Sequence, residues 1–429
     1  MVKIGDKIRV ITKDENLEGI FMPSDDKKVV LKLNSGYNIV VDKNKIKKTE
    51  VIESYKEEKI VKEKDFTFNK NLKTISILHT GGTIASKVDY RTGAVSARFD
   101  PDELIQMFPE LKNICNIKSK LIFQMFSEDI EPKHWSILAK EIEKEIKNKV
   151  DGIIITHGTD TMSYTSSALS FMLQGLNIPV ILVGAQRSSD RGSSDAGLNL
   201  ICAAQFITKS DFVGVGVCMH ESMEDKTCLI HKSVKVRKLH TSRRDAFKSI
   251  NSKPIARVDI NGKIEFLSEY IKKVKKGNRK LEVKTGFENK VGILKTRPGM
   301  TNKELEFYKN YKGLIIEGTG LGHMPVDVVD QYTKEHKLIL NSLKKLAKKI
   351  PIVMCSQCVF GRVNMNVYSS GRDILNAGVI SGEDMLSETA FVKLGWLLGN
   401  YKDKNIVKML MKENLVGEIS ERNSEEFLE

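Results

Sequence analysis

The chain has 429 residues, with 41% hydrophobic and 29% charged side chains, which suits a globular protein of two or three domains. It has no long apolar run, no apolar secretory core near its start and only six scattered cysteines, so we expect a cytoplasmic protein with free thiols rather than a membrane or disulfide-rich one. The formal net charge of +14 indicates either a polyanionic partner such as RNA or a lysine-rich solvated surface.

Residues 1–70 are predicted to form a small β-barrel-like domain and a charged linker. Three short alternating runs, at 7–11, 29–33 and 37–41, are typical of strands, and Asn34-Ser35-Gly36 between the last two is typical of a hairpin turn. Short strands joined by tight turns favour a small barrel. The charged run at 53–59 then leads into the main body.

From residue 73 the pattern changes to buried strands that alternate with amphipathic helices. The predicted strands lie at 74–78, 152–155, 180–183 and 212–217, and the predicted helices at 133–147 and 163–173. This alternation predicts a largely parallel, doubly wound α/β sheet in a large domain at 73–287. Sheets of this kind place their functional sites beyond the carboxyl ends of the strands.

A second strand and helix series follows a basic, apolar-poor segment at 271–286. Its predicted strands lie at 291–294, 314–316 and 352–354. The pattern predicts a smaller C-terminal α/β domain at 288–415.

Two turns at predicted strand ends carry hydroxyl side chains and glycine. The segment HTGGTIA (79–85) follows the first strand of the large domain, and THGTDTM (156–162) follows the second. Glycine lets the backbone approach a ligand closely. Taken singly, either turn has a structural alternative: a plain glycine turn for the first, and helix N-capping by a threonine or aspartate for the second. Because the carboxyl ends of parallel strands face one crevice, the pair favours a shared site.

These two segments resemble the two signatures of the L-asparaginase family. Three further segments agree with it, namely VGAQR (183–187), the Lys238-x-His240 element before DAF (245–247), and GTG (318–320). The resemblance covers roughly residues 73–415. It implies an asparaginase-like fold and an enzyme that hydrolyses a side-chain amide with a threonine nucleophile.

The resemblance also implies catalytic roles. Thr83 corresponds to the primary nucleophile and Thr159 to the second essential threonine, with Asp160 and Lys238 completing its triad. A threonine hydroxyl needs a base to take its proton, and a lysine serves as that base only if burial or neighbouring cations favour its neutral form. The basic run Lys232, Lys235, Arg237, Arg243 and Arg244 would provide such a cationic neighbourhood, although the charge pattern alone favours a solvated surface lysine at 238. Backbone N–H groups near Gly82 and Thr159 are expected to stabilise the oxyanion.

Three more residues are implied to act on the substrate. Tyr90 matches a mobile-loop tyrosine that orients the nucleophile, and Ser127 and Asp160 match groups that hold the α-carboxylate and α-amino ends. Glu128 stands where the family usually has glutamine, which adds negative charge near the α-amino pocket. This departure leaves the choice between asparagine and glutamine open.

The β module at the start points to one branch of the family. Together with GRVNMNVY (361–368) and GEDM (382–385), it resembles the D subunits of archaeal glutamyl-tRNA(Gln) amidotransferases. In that branch the asparaginase-like chain releases ammonia, and a kinase/transamidase partner, the E subunit, uses ATP and Mg²⁺ to convert Glu-tRNA(Gln) to Gln-tRNA(Gln). The resemblance therefore implies a homodimer core within a heterotetramer, contact with tRNA(Gln) through the complex, and no cofactor or metal in this chain.

Other motifs support this division of labour. We find no phosphate-binding Gly-x-x-x-x-Gly-Lys-Ser/Thr loop, and CSQC (355–358) has no second cysteine pair to complete a zinc site, so structural buried thiols are favoured there. Two alternatives stay open: a free-standing cytoplasmic L-asparaginase with an added β module, and a catalytically silent RNA-binding scaffold. The complete set of Thr83, Thr159, Asp160 and Lys238 argues against the second.

Overall fold

The structure is a computed structural model that describes most of the chain. The described residues are 2–24, 27–33, 38–54, 68–82, 84, 87–88, 95–96, 107–188, 193–274 and 280–422. No helix within these ranges is long and apolar enough to cross a membrane. All six cysteines are free; five are buried, and Cys358 is exposed, so the prediction of buried thiols in CSQC is wrong for that residue.

An antiparallel five-stranded sheet forms the N-terminal domain, in the order β4-β3-β2-β1-β5. Its strands are β1 Lys7–Thr12, β2 Asn16–Met22, β3 Lys28–Lys32, β4 Asn38–Asp42 and β5 Ile46–Glu53. β3 and β4 pair with Lys32 opposite Asn38, as the predicted hairpin requires, and the predicted turn at 34–36 lies outside the described residues. The sequence patterns missed β2, which is interrupted by Gly19 and has an irregular burial pattern, and they missed β5, because most of its side chains are exposed and it shows no apolar alternation.

The large domain is built on an eight-stranded sheet in the order β18-β17-β14-β13-β12-β10-β6-β9. The strands of the domain are β6 Thr74–Gly81, β7 Lys87–Val88, β8 Val95–Ser96, β9 Asn116–Met125, β10 Gly152–Thr156, β11 Leu173–Gln174, β12 Pro179–Val183, β13 Gly214–His220, β14 Thr227–Lys232, β15 Val236–Lys238, β16 Phe247–Ser249, β17 Ala256–Asp259, β18 Ile264–Phe266 and β19 Glu282–Val283. The five sheet strands from β13 to β9 are parallel, as predicted, whereas β14, β17 and β18 extend the sheet antiparallel.

Helices cover both faces of this sheet. They are α1 Pro132–Lys147, α2 Met162–Met172 and α3 Ala196–Lys209. A proline in the first turn of α1 and a capping box between Glu131 and His134 fix where that helix begins. α1 buries Trp135, Leu138 and Ile142 in the same core as α2, while α3 packs in a separate core on the other face. The doubly wound prediction is confirmed.

The C-terminal domain has a parallel four-stranded sheet in the order β20-β21-β22-β23. Its elements are β20 Val291–Lys295, α4 Asn302–Phe307, β21 Gly313–Gly318, α5 Glu335–Ala347, β22 Ile352–Ser356, α6 Ser369–Asn376, β23 Ile380–Ser381, α7 Ser387–Asn400 and α8 Lys404–Lys412. α7 packs against α2 within one hydrophobic core, so this core spans the large and the C-terminal domains.

Candidate active site

Glycines bring three backbone segments together at the carboxyl ends of β6 and β10. The two strands are parallel neighbours, with His79 beside Thr156. Gly82 has φ +77°, and a Cβ atom there would lie 2.3 Å from the backbone nitrogen of Gly158. A Cβ atom on Gly158 would in turn lie 2.7 Å from Cβ of Ser127. Only residues without side chains allow these approaches, so the turns after β6, β9 and β10 form one crevice.

Thr159, Asp160 and Lys238 meet in this crevice. Nζ of Lys238 donates to Oγ1 of Thr159 at 2.9 Å and to Oδ1 of Asp160 at 2.8 Å. The Lys238 side chain is 13% exposed and the Asp160 side chain 65%, so the pair lies at the crevice mouth, open to a ligand. β15 carries Lys238 across from a distant part of the sequence and is paired with β16. Lys238 is therefore within hydrogen-bond reach of both other predicted catalytic side chains, Thr159 and Asp160.

The capping alternative does not account for the hydroxyls of this turn. α2 begins at Met162, and its N-cap residue Thr161 makes no side-chain capping bond. Instead, Oγ1 of Thr161 donates to the backbone oxygen of Ser127 at 2.6 Å. Thr161 thus ties the turn after β10 to the turn after β9.

The other predicted site residues have mixed outcomes. Ser127 is buried at the start of a short 3₁₀ turn, Ser127–Asp129, and adjoins Gly158, whereas Glu128 next to it is exposed. Thr83 and Tyr90 lie outside the described residues, so their roles stay predictions. The backbone N–H of Gly82 itself donates to the oxygen of Met125 at 3.0 Å, and because Thr83 beside it lies outside the described residues, the predicted oxyanion donor near Gly82 stays a prediction.

The structure contradicts the predicted cationic neighbourhood of Lys238 for four of its five residues. Four members of the basic run are each bound to an acid: Lys235 to Asp384, Arg237 to Glu388, Arg243 to Asp245 and Arg244 to Asp225. These cations are neutralised locally and do not form a positive cluster around the amine of Lys238. The ion-pair partner of Lys238 is the carboxylate of Asp160.

Two buried polar residues, Asp195 and Asn199, hold the backbone segment that packs against Thr159, and the sequence patterns did not predict them. The Asp195 carboxylate accepts from the backbone N–H groups of Gln186 and Arg187 at 3.0 and 3.1 Å, and Asn199 donates to the oxygen of Gly184 at 3.0 Å. Gly184 lies against the Thr159 methyl group, where a Cβ atom would come within 2.8 Å. Burial raises the pKa of Asp195. The signal for this pair was an aspartate and an asparagine one turn apart on an apolar helix.

A second missed contact links the site to the C-terminal domain. Arg237, beside Lys238 on β15, forms an ion pair of 3.5 Å with Glu388 in the first turn of α7. Ser387 donates to Oε1 of Glu317, at the end of β21, at 2.5 Å. Burial raises the pKa of Glu388, and the Arg237 guanidinium opposes that rise. The strand that carries Lys238 is therefore held by both domains.

Comparisons with known families agree with this architecture. The Asparaginase, N-terminal family matches residues 74–272, and the Glutaminase/Asparaginase C-terminal domain matches residues 290–411. Among solved structures, the thermostable L-asparaginase from Thermococcus kodakarensis has 32% identity and a TM-score of 0.70, covering 81% of this chain and 100% of its own. L-asparaginase I from Vibrio cholerae has 28% identity and a TM-score of 0.69, covering 81% and 99%. Fold and site together define an asparaginase-type protein.

Full-length relatives narrow the class further. The GatD N-terminal domain matches residues 2–52. The D subunit of glutamyl-tRNA(Gln) amidotransferase from Pyrococcus horikoshii is 47% identical over 431 residues, covering 98% of this chain and 95% of the relative. The protein of the same name from Methanobrevibacter smithii is 45% identical, covering 99% and 95%. The chain belongs to the family of glutamyl-tRNA(Gln) amidotransferase D subunits.

Proposed function

We propose that this chain hydrolyses the side-chain amide of glutamine, or of asparagine, and delivers the ammonia to a partner subunit that converts Glu-tRNA(Gln) to Gln-tRNA(Gln) in the cytoplasm. The observation that carries the hydrolase assignment is the amine of Lys238, which bridges Thr159 and Asp160. The amidotransferase assignment is supported by full-length relatives named for that complex.

The geometry supports a specific proton path. In its amine form, Lys238 accepts the proton of the Thr159 hydroxyl, and the Asp160 carboxylate stabilises the ammonium that results. In the proposed reaction, the Thr83 hydroxyl oxygen attacks the amide carbon, its proton passes to the leaving nitrogen, and the C–N bond breaks to release ammonia and leave an acyl ester on Thr83. Water then attacks the ester carbon, one of its protons is taken by the Thr159–Lys238 pair, and the ester C–O bond breaks to release the amino acid and restore the Thr83 hydroxyl. The buried backbone N–H of Thr159 has no hydrogen-bond acceptor within the described part of the chain, so it is our candidate for the oxyanion donor.

The first test replaces the bridging lysine. We expect Lys238→Met to lower kcat for ammonia release by about 10²–10⁴-fold, the usual contribution of a positioned acid or base. Lys248→Met is the matched control, because Lys248 lies on the paired strand β16 opposite Arg237 and contacts neither Thr159 nor Asp160. Activity of Lys238→Met equal to that of the control would contradict the proton path.

The second test addresses the complex. Ammonia released without an acceptor is wasted, so we expect the isolated chain to be a slow glutaminase. We expect the E subunit, with ATP, Mg²⁺ and Glu-tRNA(Gln), to accelerate it by an amount equivalent to about 1–3 kcal/mol of coupling. Ammonia release is measured for the chain alone, with the partner, and with partner and charged tRNA. Equal rates in all three, with asparagine preferred, would support a free-standing asparaginase instead.

The proposal also includes a homodimer core, in which a neighbouring copy completes the substrate pocket, within a heterotetramer. Closed two-fold assemblies are the commonest kind of oligomer. Analytical ultracentrifugation of the chain and of the complex measures both states. A fully active monomer at assay concentration would rule out the shared pocket.

A further inference from the structure

A cavity of about 730 Å³ lies near the amino end of the parallel strand β13, whereas Thr159 follows the carboxyl end of β10. It opens between the end of α2 and the residues that begin β13, and the turn between β14 and β15 forms one wall. Six of the side chains that line it are buried: Ser170, Leu173, Leu176, Val213, Val215 and Ser233. This volume is in the range of small-molecule pockets, about 300–1,000 Å³.

The wall carries Lys232, a cation with no close partner among the described residues. Lys232 is half-buried, yet within the residues the structure describes its amine makes no ion pair and no hydrogen bond. The fully buried lysines of the chain behave differently: Lys235 is paired with Asp384, and Lys393 with Glu418. Burial lowers the pKa of Lys232, and the carboxylate of Glu269 on the exposed rim opposes this. Glu269 also lines the cavity, but it is exposed and forms no ion pair with Lys232 in the described structure, so the charge of the half-buried amine is only partly compensated. Removing a cation from water without a close counter-charge is costly, so the site favours an anion.

The other residues that line the cavity indicate the chemistry of the rest of the ligand. The hydroxyls of Ser170 and Ser233 lie 2.6 Å apart and add a small polar patch to the floor. Leu173, Leu176 and Val215 form apolar walls. We propose that this cavity binds an amphipathic organic anion, with its acidic group on Lys232 and its hydrocarbon body against the leucine and valine walls. The site is separate from the proposed hydrolase crevice and does not depend on it.

Octanoate is the probe for this site, and octanamide is its uncharged counterpart. Isothermal titration of the full-length chain is expected to give a Kd of about 1 mM or tighter for octanoate. We expect Lys232→Met to weaken octanoate binding at least tenfold and Lys232→Arg to retain it. Lys263→Met, at the exposed turn between β17 and β18, is the matched control and should bind as the parent does.

The titration can also overturn the assignment. No binding of octanoate to the parent chain, equal binding of octanamide, or unchanged binding by Lys232→Met would each do so. Thermal unfolding of every variant checks that the fold survives. Because binding is read without amide hydrolysis, a failure here is distinguishable from a failure of the proposed enzyme activity.

Discussion

Replacing Asp384 with asparagine tests how far a buried ion pair holds the two asparaginase-like domains together. Asp384 and Lys235 are both fully buried, and Nζ of Lys235 lies 2.7 Å from Oδ2 of Asp384. The other carboxylate oxygen accepts from the backbone N–H of Ser420 at 2.9 Å. Lys235 comes from the large domain, Asp384 from the loop before α7, and Ser420 from the C-terminal segment, so three parts of the chain depend on one carboxylate.

Asp384→Asn leaves the ammonium of Lys235 buried without its counter-charge. Breaking a buried pair in this way costs about 3–5 kcal/mol of unfolding free energy. At about 2 cal/mol/K of unfolding entropy per residue, a cooperative body of about 350 residues loses about 4–7 °C in Tm. Removing both charges, in Lys235→Met with Asp384→Asn, should recover much of that loss, because the buried ammonium is removed together with its carboxylate and Arg362, which also pairs with Asp384, keeps Glu383 as a partner.

Differential scanning calorimetry at one scan rate measures the parent, the two single variants and the double variant. Asp327→Asn, an exposed aspartate of the same domain, is the matched control and should change Tm by less than about 1 °C, as surface substitutions usually do. A Tm for Asp384→Asn equal to that of the control, or a double variant less stable than both singles, would refute the reasoning.

Three further predictions concern stability. Burial lowers the pKa of His231 from 6.5 to about 3, so the folded state keeps this histidine neutral. Its contribution to the free energy of unfolding is complete above pH 6.5 and falls by about 1.4 kcal/mol per pH unit below it, because the unfolded chain takes up the proton first. His231→Gln should therefore flatten the fall of Tm between pH 6.5 and 4.5, and an unchanged slope would contradict this. Arg237→Met should destabilise the fold more than Glu388→Gln, since only the first leaves a buried carboxylate without its cation, and denaturant unfolding giving the reverse order would refute the assignment. Deleting residues 1–70 should leave the cooperative thermal transition of the body intact, because the N-terminal domain has its own core; loss of that transition would show otherwise.

Periodic patterns in the sequence predicted four of the five parallel strands of the large domain, together with α1 and α2, because burial on one or both faces imposes a repeat on neighbouring residues. They missed the parallel strand β9, most of whose side chains are not buried, and helix α3, which is buried on nearly all sides and so shows little periodicity. The signature turns of the crevice were predictable for a related reason, since only glycine fits where Gly82 meets Gly158. The antiparallel extension of the sheet was not predicted, as β14, β17 and β18 leave a short and mixed pattern. Exposed β5 gives hardly any pattern at all.

Contacts between residues far apart in the chain could not be predicted from the sequence, for a different physical reason. The basic run from Lys232 to Arg244 suggested one positive cluster, because its residues are neighbours along the chain. In the fold, Lys235 meets Asp384, which is 149 positions away, and Arg237 meets Glu388 across the domain boundary. A charge pattern fixes the number of cations in a segment, whereas the tertiary fold decides which acid each one meets.

The strand β15 connects the lysine of the proposed proton path to the C-terminal domain. Lys238 points to the turn of the large domain that carries Thr159, while Arg237 and Lys235 on the same segment are bound to the C-terminal domain. The position of the amine relative to Thr159 therefore depends on how the C-terminal domain docks. A displacement of about 1 Å at this amine would break a 2.9 Å hydrogen bond, and misplacement on that scale is enough to cost about 10²-fold in rate. A partner that binds the C-terminal domain thus has a direct physical route to the proposed hydrolase site, through two ion pairs and one short strand.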